Sequence, residues 1–178
     1  MDTMICAARR TNQSENPMNQ LSKLLAPSHI LVDLEAGSKK RVFEQVGLLF
    51  ENHDQIARSQ CFDSLFARER LGSTGLGQGV AIPHGRIKGL KDAIGAFIRM
   101  KEPIPFDAPD GQPVKLVFVL LVPERATDLH LQILSELAQM FSDRAFREQL
   151  LTAANAEEIH RLITEWQPHA SGHHRAAV

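Results

Sequence analysis

His84 stands between Pro83 and Gly85, at the end of "LGSTGLGQGVAIPHGRIKGL" (residues 71–90), in which four glycines occupy eight consecutive positions, 72–79. Proline stiffens one side of the imidazole, and glycine removes steric cover on the other. At neutral pH most of an ordinary histidine is uncharged, so one ring nitrogen carries a free lone pair. If a backbone carbonyl holds the other nitrogen as a donor, the free one is fixed in direction and becomes a nucleophile suited to in-line attack on phosphorus. Arg86 and Lys88 follow at once and add positive charge beside it.

A phosphoryl acceptor needs cations and hydrogen-bond donors around the incoming oxygens, because this chemistry is catalysed chiefly by positioning and charge stabilisation. Two residues qualify by their placement. Arg68 sits at the end of the helix that enters the glycine loop, from which its guanidinium can fold back over the strand end. His130 falls in the first turn of a helix expected to be capped by Thr127. Spacings of 4, 7 and 11 align it with Leu134, Leu137 and Phe141 on the inward face.

Competing chemistries find little support. A dinucleotide site needs GxGxxG between a strand and a helix, but "GLGQG" follows a helix and precedes a strand. The chain contains no GxxxxGK with Ser or Thr after it. His29, His53, His160, His169, His173 and His174 show no tight ligand spacing, so neither a metal nor a cofactor is expected. Cys6 and Cys61 lack CxxC spacing, and the acidic residues scatter along solvated helix faces.

The elements that must position these residues follow from periodicity. A short helix is expected over 18–25 and a strand over 29–34, and Ser38 caps a helix whose Val42, Phe43, Val46, Leu49 and Phe50 share one face. A second helix begins near Ser59, with Phe62, Leu65 and Phe66 as its inward stripe and Arg68, Glu69 and Arg70 crowding its last turn. Strands follow in "GVAIPH", at 93–100 and at 114–122, the last a continuous apolar run that belongs at the centre of a sheet. "DAPDGQPV" is a turn. The final third is helical, with Ile133, Leu134, Leu137, Met140 and Phe141 inward on one helix and further helices starting at Asp143 and Asn155.

Composition bounds the whole. The chain has 178 residues and 20 Lys plus Arg against 21 Asp plus Glu, which fits one domain and lacks the basic excess that grips nucleic acid. No apolar run approaches the ~20 residues of a membrane helix, so no membrane insertion is expected and a cytoplasmic setting fits. Residues 1–17 read as a disordered extension, 18–167 as the domain and 168–178 as a frayed tail.

Three separated stretches, "ARERLGSTGLGQGVAIPHGRIKGL", "PIPFDAPDGQPVKLVFVLLVP" and "HLQILSELAQMFSD", resemble the type-2 IIA components of the sugar phosphotransferase system, the fructose and mannitol type, and most of all their nitrogen-regulatory branch. The resemblance runs from Met18 to Trp166. It implies an α/β domain with a mixed sheet of about five strands sandwiched between helices, the mannitol-type IIA fold. It implies that His84 is phosphorylated through Nε2 with His130 and Arg68 in support. The phosphoryl group would come from an HPr-like carrier, NPr, with target proteins regulated by phosphorylation state. Such a protein is a phosphotransferase-system component with a phosphohistidine intermediate rather than a free-standing enzyme. Two alternatives remain open at this stage: a sugar-transport IIA that passes phosphate to a separate IIB domain, and a binding module whose histidine never reacts.

Overall fold

A computed structural model describes residues 19–125 and 128–168. The extension 1–17, the cap Thr127 and the tail beyond Pro168 lie outside the described residues. The chain opens with two 3-10 turns, Gln20–Lys23 and Pro27–His29, the first shorter than the helix expected there. It then runs through β1 (Ile30–Leu34), α1 (Lys39–Asp54), α2 (Arg58–Arg70), β2 (Gly75–Gly77), β3 (Val80–Ala81), β4 (His84–Ile87), β5 (Ile94–Ile104), β6 (Val114–Pro123), α3 (Asp128–Ser142), α4 (Arg144–Thr152) and α5 (Ala156–Glu165).

The six strands form one mixed sheet in the order β1-β5-β6-β3-β2, and β4 pairs with β6 beyond the end of β3. Periodicity marked out four strands and the resemblance implied about five; the structure has six. "GVAIPH" does not run as a single strand: it breaks at Ile82-Pro83 into β3 and β4, which occupy successive stretches of the same edge of β6. Strand β6 is central, as its unbroken apolar run requires. Leu116, Phe118, Leu120 and Val122 join one core with α3, α4 and α5, while Val117, Val119 and Leu121 join a second core with α1 and α2. The alternation of strand side chains divides one sequence run between two helical layers.

Caps set the helix boundaries. Ser38 Oγ accepts from Arg41 N–H, Asp143 from Phe146 N–H and Asn155 from Glu158 N–H. Helix α1 buries the face expected of it. Helix α2 is turned by one residue from expectation: Cys61, Leu65 and Glu69 are its buried face, while Phe62 and Phe66 stack on each other half-buried, with centroids 5.5 Å apart. The cause is the spacing 61, 65, 69, which lines a stripe of its own beside the aromatic pair and presses it onto the sheet.

Candidate functional site

The break at Ile82-Pro83 builds the site. Pro83 has no N–H to give to a ladder, although its carbonyl still accepts from Leu120 N–H at 3.0 Å. Ile82 N–H donates to the Thr74 carbonyl at 3.0 Å. The Ile82 carbonyl turns instead to the imidazole that opens β4, and His84 Nδ1 donates to it at 2.9 Å. A carbonyl can only accept, so this bond fixes the tautomer and leaves the lone pair on Nε2.

His84 is half-buried, and its surroundings decide its charge. Burial lowers its pKa from the ordinary value; the Ile82 carbonyl opposes this, the Arg68 guanidinium adds to it, and the Glu69 carboxylate opposes it. The net effect is downward, which keeps the ring neutral at pH 7.

Strand β4 alternates. Gly85 and Ile87 face α2, and Gly85 lies so close to it that a Cβ would overlap the Ser64 hydroxyl. That hydroxyl donates to the Arg86 carbonyl at 2.8 Å and ties β4 to α2. Arg86 itself donates from Nη1 to the Glu124 carbonyl at 2.8 Å, just beyond the end of β6. Lys88 offers its carbonyl to Gln60 Nε2 at 3.1 Å.

His130 lies in the first turn of α3, and its ring meets that of His84 edge to face with centroids 5.4 Å apart. Burial lowers its pKa, and the nearby His84 and Arg86 lower it further. Arg68 occupies the last turn of α2, and its Nη1 donates to the Gly72 carbonyl at 2.8 Å, closing the helix end onto the glycine loop. The three residues singled out in the sequence thus converge on one end of the sheet, with His84 on a strand, His130 from one helical layer and Arg68 from the other.

Glu69 is the residue that the sequence did not single out. It read as one charge among three at a crowded helix end, yet it is 6 % exposed. The available signal was its place four residues after Leu65, on the stripe begun by Cys61. The other described histidines lie elsewhere: His29 pairs with Asp54 at 2.5 Å, His53 packs its ring 5.6 Å from that of His29, and His160 Nε2 meets the Leu25 carbonyl at 2.9 Å. No group of three His, Cys, Asp or Glu arranged to hold a metal occurs among the described residues. Cys61 is sealed in the core, and burial pushes its thiol up to about 12.

Comparison with known proteins identifies the family and the fold. The family described as "Phosphoenolpyruvate-dependent sugar phosphotransferase system, EIIA 2" matches residues 23–166. The nitrogen regulatory protein of Pseudomonas aeruginosa is 42% identical over 151 residues, 84% of this chain and 98% of the relative. That of Escherichia coli is 37% identical over 147 residues, 82% of this chain and 90% of the relative. Among solved structures, nitrogen regulatory protein IIA-Ntr from Neisseria meningitidis shares 56% identity with a TM-score of 0.79, covering 82% of this chain and all of that one (100%). The mannitol IIA of Escherichia coli shares the fold at 20% identity and a TM-score of 0.65, covering 78% and 97%. No described helix is long and apolar enough to cross a membrane. A matched profile over most of the chain and relatives alike over nearly their whole length lead to one conclusion: the chain belongs to the type-2 EIIA family of the phosphotransferase system.

Proposed function

We propose that the protein is a cytoplasmic phosphocarrier of the nitrogen branch, that His84 Nε2 accepts a phosphoryl group from an HPr-like carrier, NPr, and that target proteins are regulated by whether it is bound. The observation that carries this is the bond from His84 Nδ1 to Ile82, which leaves a neutral ring with its lone pair on Nε2. Attack forms the Nε2–P bond as the bond between phosphorus and the carrier breaks, its electron pair leaving with the carrier. The ring then carries a positive charge, which the Ile82 carbonyl stabilises through the retained N–H. Arg68 and His130 face the arriving oxygens, and residues 18–167 form the domain that performs the transfer.

The regulatory half draws its support from relatives that bear the name nitrogen regulatory protein. Exposed Leu71, Leu76 and Leu129 adjoin Arg68, the glycine loop and His130 in sequence and suit a protein partner better than a small substrate. A phosphoryl group brings nearly two negative charges to a loop bordered by Arg68, Arg86 and Lys88, and so changes what can dock there.

The test is phosphoryl transfer from a labelled, phosphorylated carrier. Wild type takes up an acid-labile label and His84→Ala takes up none. Label persisting on His84→Ala, or absent from wild type, overturns the assignment.

A further inference from the structure

A buried carboxylate is costly unless its oxygens are fully engaged. Glu69 meets that condition. Its oxygens accept from Thr74 N–H at 3.2 Å, from Thr74 Oγ1 at 2.6 Å and from Lys39 Nζ at 3.2 Å. Lys39 also reaches Asp107 at 2.9 Å and lies over the Phe106 ring, so the counter-charge is itself held in place. Such bonding could simply fasten the end of α2 to the loop that follows.

The hydrogen bonds do not stop at Thr74. Its carbonyl accepts from Ile82 N–H at 3.0 Å, and the carbonyl of the same Ile82 accepts from His84 Nδ1 at 2.9 Å. Ile82 lies in the gap between β3 and β4, where no ladder partner orients its carbonyl. The residue that bears this carbonyl is anchored through its N–H by Thr74, and Thr74 by the carboxylate that grips it at both backbone and side chain. The path from Glu69 to the imidazole is unbroken.

We infer that Glu69 is a positioning residue for His84, acting through Thr74 and Ile82 to hold the imidazole in its Nδ1–H tautomer with Nε2 directed outward. The inference rests on reading His84 as the phosphoryl acceptor. The charge of Glu69 works in the same direction, since it also favours the cationic ring that forms on attack. The groups bearing on that ring are Arg68 and Glu69 from the end of α2 and His130 from α3, with Arg86 of β4 acting on His130. Arg68 supplies charge toward the phosphoryl oxygens and Glu69 supplies it toward the ring. Two consecutive residues of one helix end thus divide the work, Arg68 half-buried and Glu69 buried.

The test reads the tautomer directly on the unphosphorylated full-length chain, by long-range proton–nitrogen NMR of the imidazoles. Wild type shows a single Nδ1–H tautomer for His84. In Glu69→Gln an amide replaces one accepting oxygen, and the expected result is a mixture of the two tautomers. The maximal rate of phosphoryl acceptance falls roughly ten- to a hundredfold, the usual effect of removing an outer partner of a working histidine, with KM for the carrier unchanged. Thr74→Val, which loses only the hydroxyl bond, shifts the tautomer less, and Thr74→Ser retains the wild-type state. An unshifted tautomer in Glu69→Gln overturns the inference, as does a Thr74→Ser chain that shifts like Thr74→Val. If Glu69→Gln does not fold, Thr74→Val decides, and an unshifted tautomer there is equally fatal. The NMR measurement needs no carrier, so a wild type that takes up no phosphoryl group sinks the acceptor reading and leaves the tautomer result standing.

Discussion

His84 and His130 meet edge to face, ring centroids 5.4 Å apart, one carried by a strand and the other by a helix on the far side of Pro123. At that separation in a partly dry site, two imidazolium charges oppose each other, so the second proton is taken up with more difficulty than the first.

This pairing sets a pH dependence. Both rings are held below their ordinary value of 6.5, chiefly by burial. As pH drops from there, the unfolded chain binds protons that the folded chain refuses. The stability contributed by the neutral pair is therefore present above 6.5 and lost as pH falls through the folded-state values. Unfolding measured from pH 8 to 5 should show this loss, and His84→Gln/His130→Gln should flatten it. The acid limb of phosphoryl acceptance should likewise lie below 6.5. Arg68→Met should move that limb toward higher pH, because the guanidinium is one of the groups holding His84 down; an unmoved limb would show that the charge of Arg68 does not reach the ring.

His130 and Arg68 should matter to rate far more than to folding. Neither completes an apolar core, and removing one preorganised donor from such a site slows chemistry by roughly a hundredfold or more. Single-turnover transfer on His130→Ala and Arg68→Ala, set beside their melting temperatures, checks this. Normal rates, or a collapse of stability, would each refute it.

Gly85→Ala should destabilise by about 1–3 kcal/mol, the usual cost of overpacking, because the new methyl collides with the Ser64 hydroxyl. Adding Ser64→Gly should recover part of the loss. Chemical denaturation of the single and double variants measures the coupling, and simple additivity would mean the contact is not the cause.

Arg99 is a cation buried in β5. Its Nη1 donates to the carbonyls of Leu150 at 3.0 Å and Ala153 at 2.7 Å, at the end of α4, while Nε reaches Asp33 at 3.3 Å. Arg99→Leu strands those carbonyls, at about 1–3 kcal/mol for each group left unsatisfied. Hydrogen exchange should show α4 and the start of α5 opening first; uniform protection across the fold would contradict this.

The sequence made the central strand legible because Val114–Val122 is apolar at every position that both layers need. It made His84 legible because glycine and proline are local signals that survive without the fold. It did not reveal that Thr74 reaches across to Ile82 N–H at the Ile82-Pro83 break, a contact that no periodicity encodes. Glu69 and Arg99 stayed hidden for the same reason. A charged residue reads as solvated until the carbonyls, amides and cations that satisfy it are brought from distant parts of the chain. The turn of α2 was misjudged because Phe62 and Phe66 outweigh Cys61 on any scale of hydrophobicity, while closeness at Gly85 favours a slimmer face against the sheet.

Strand β2, which follows the loop from the end of α2, is the edge of the sheet's main path opposite β1. Strand β2 is three residues long, two of them glycine; its register slips against β3, and the next amide, Gln78 N–H, is already taken by Asp110 at 2.8 Å. An incoming strand finds too short and irregular a ladder to extend. The glycine loop can therefore lie at the surface without offering a template for edge-to-edge aggregation.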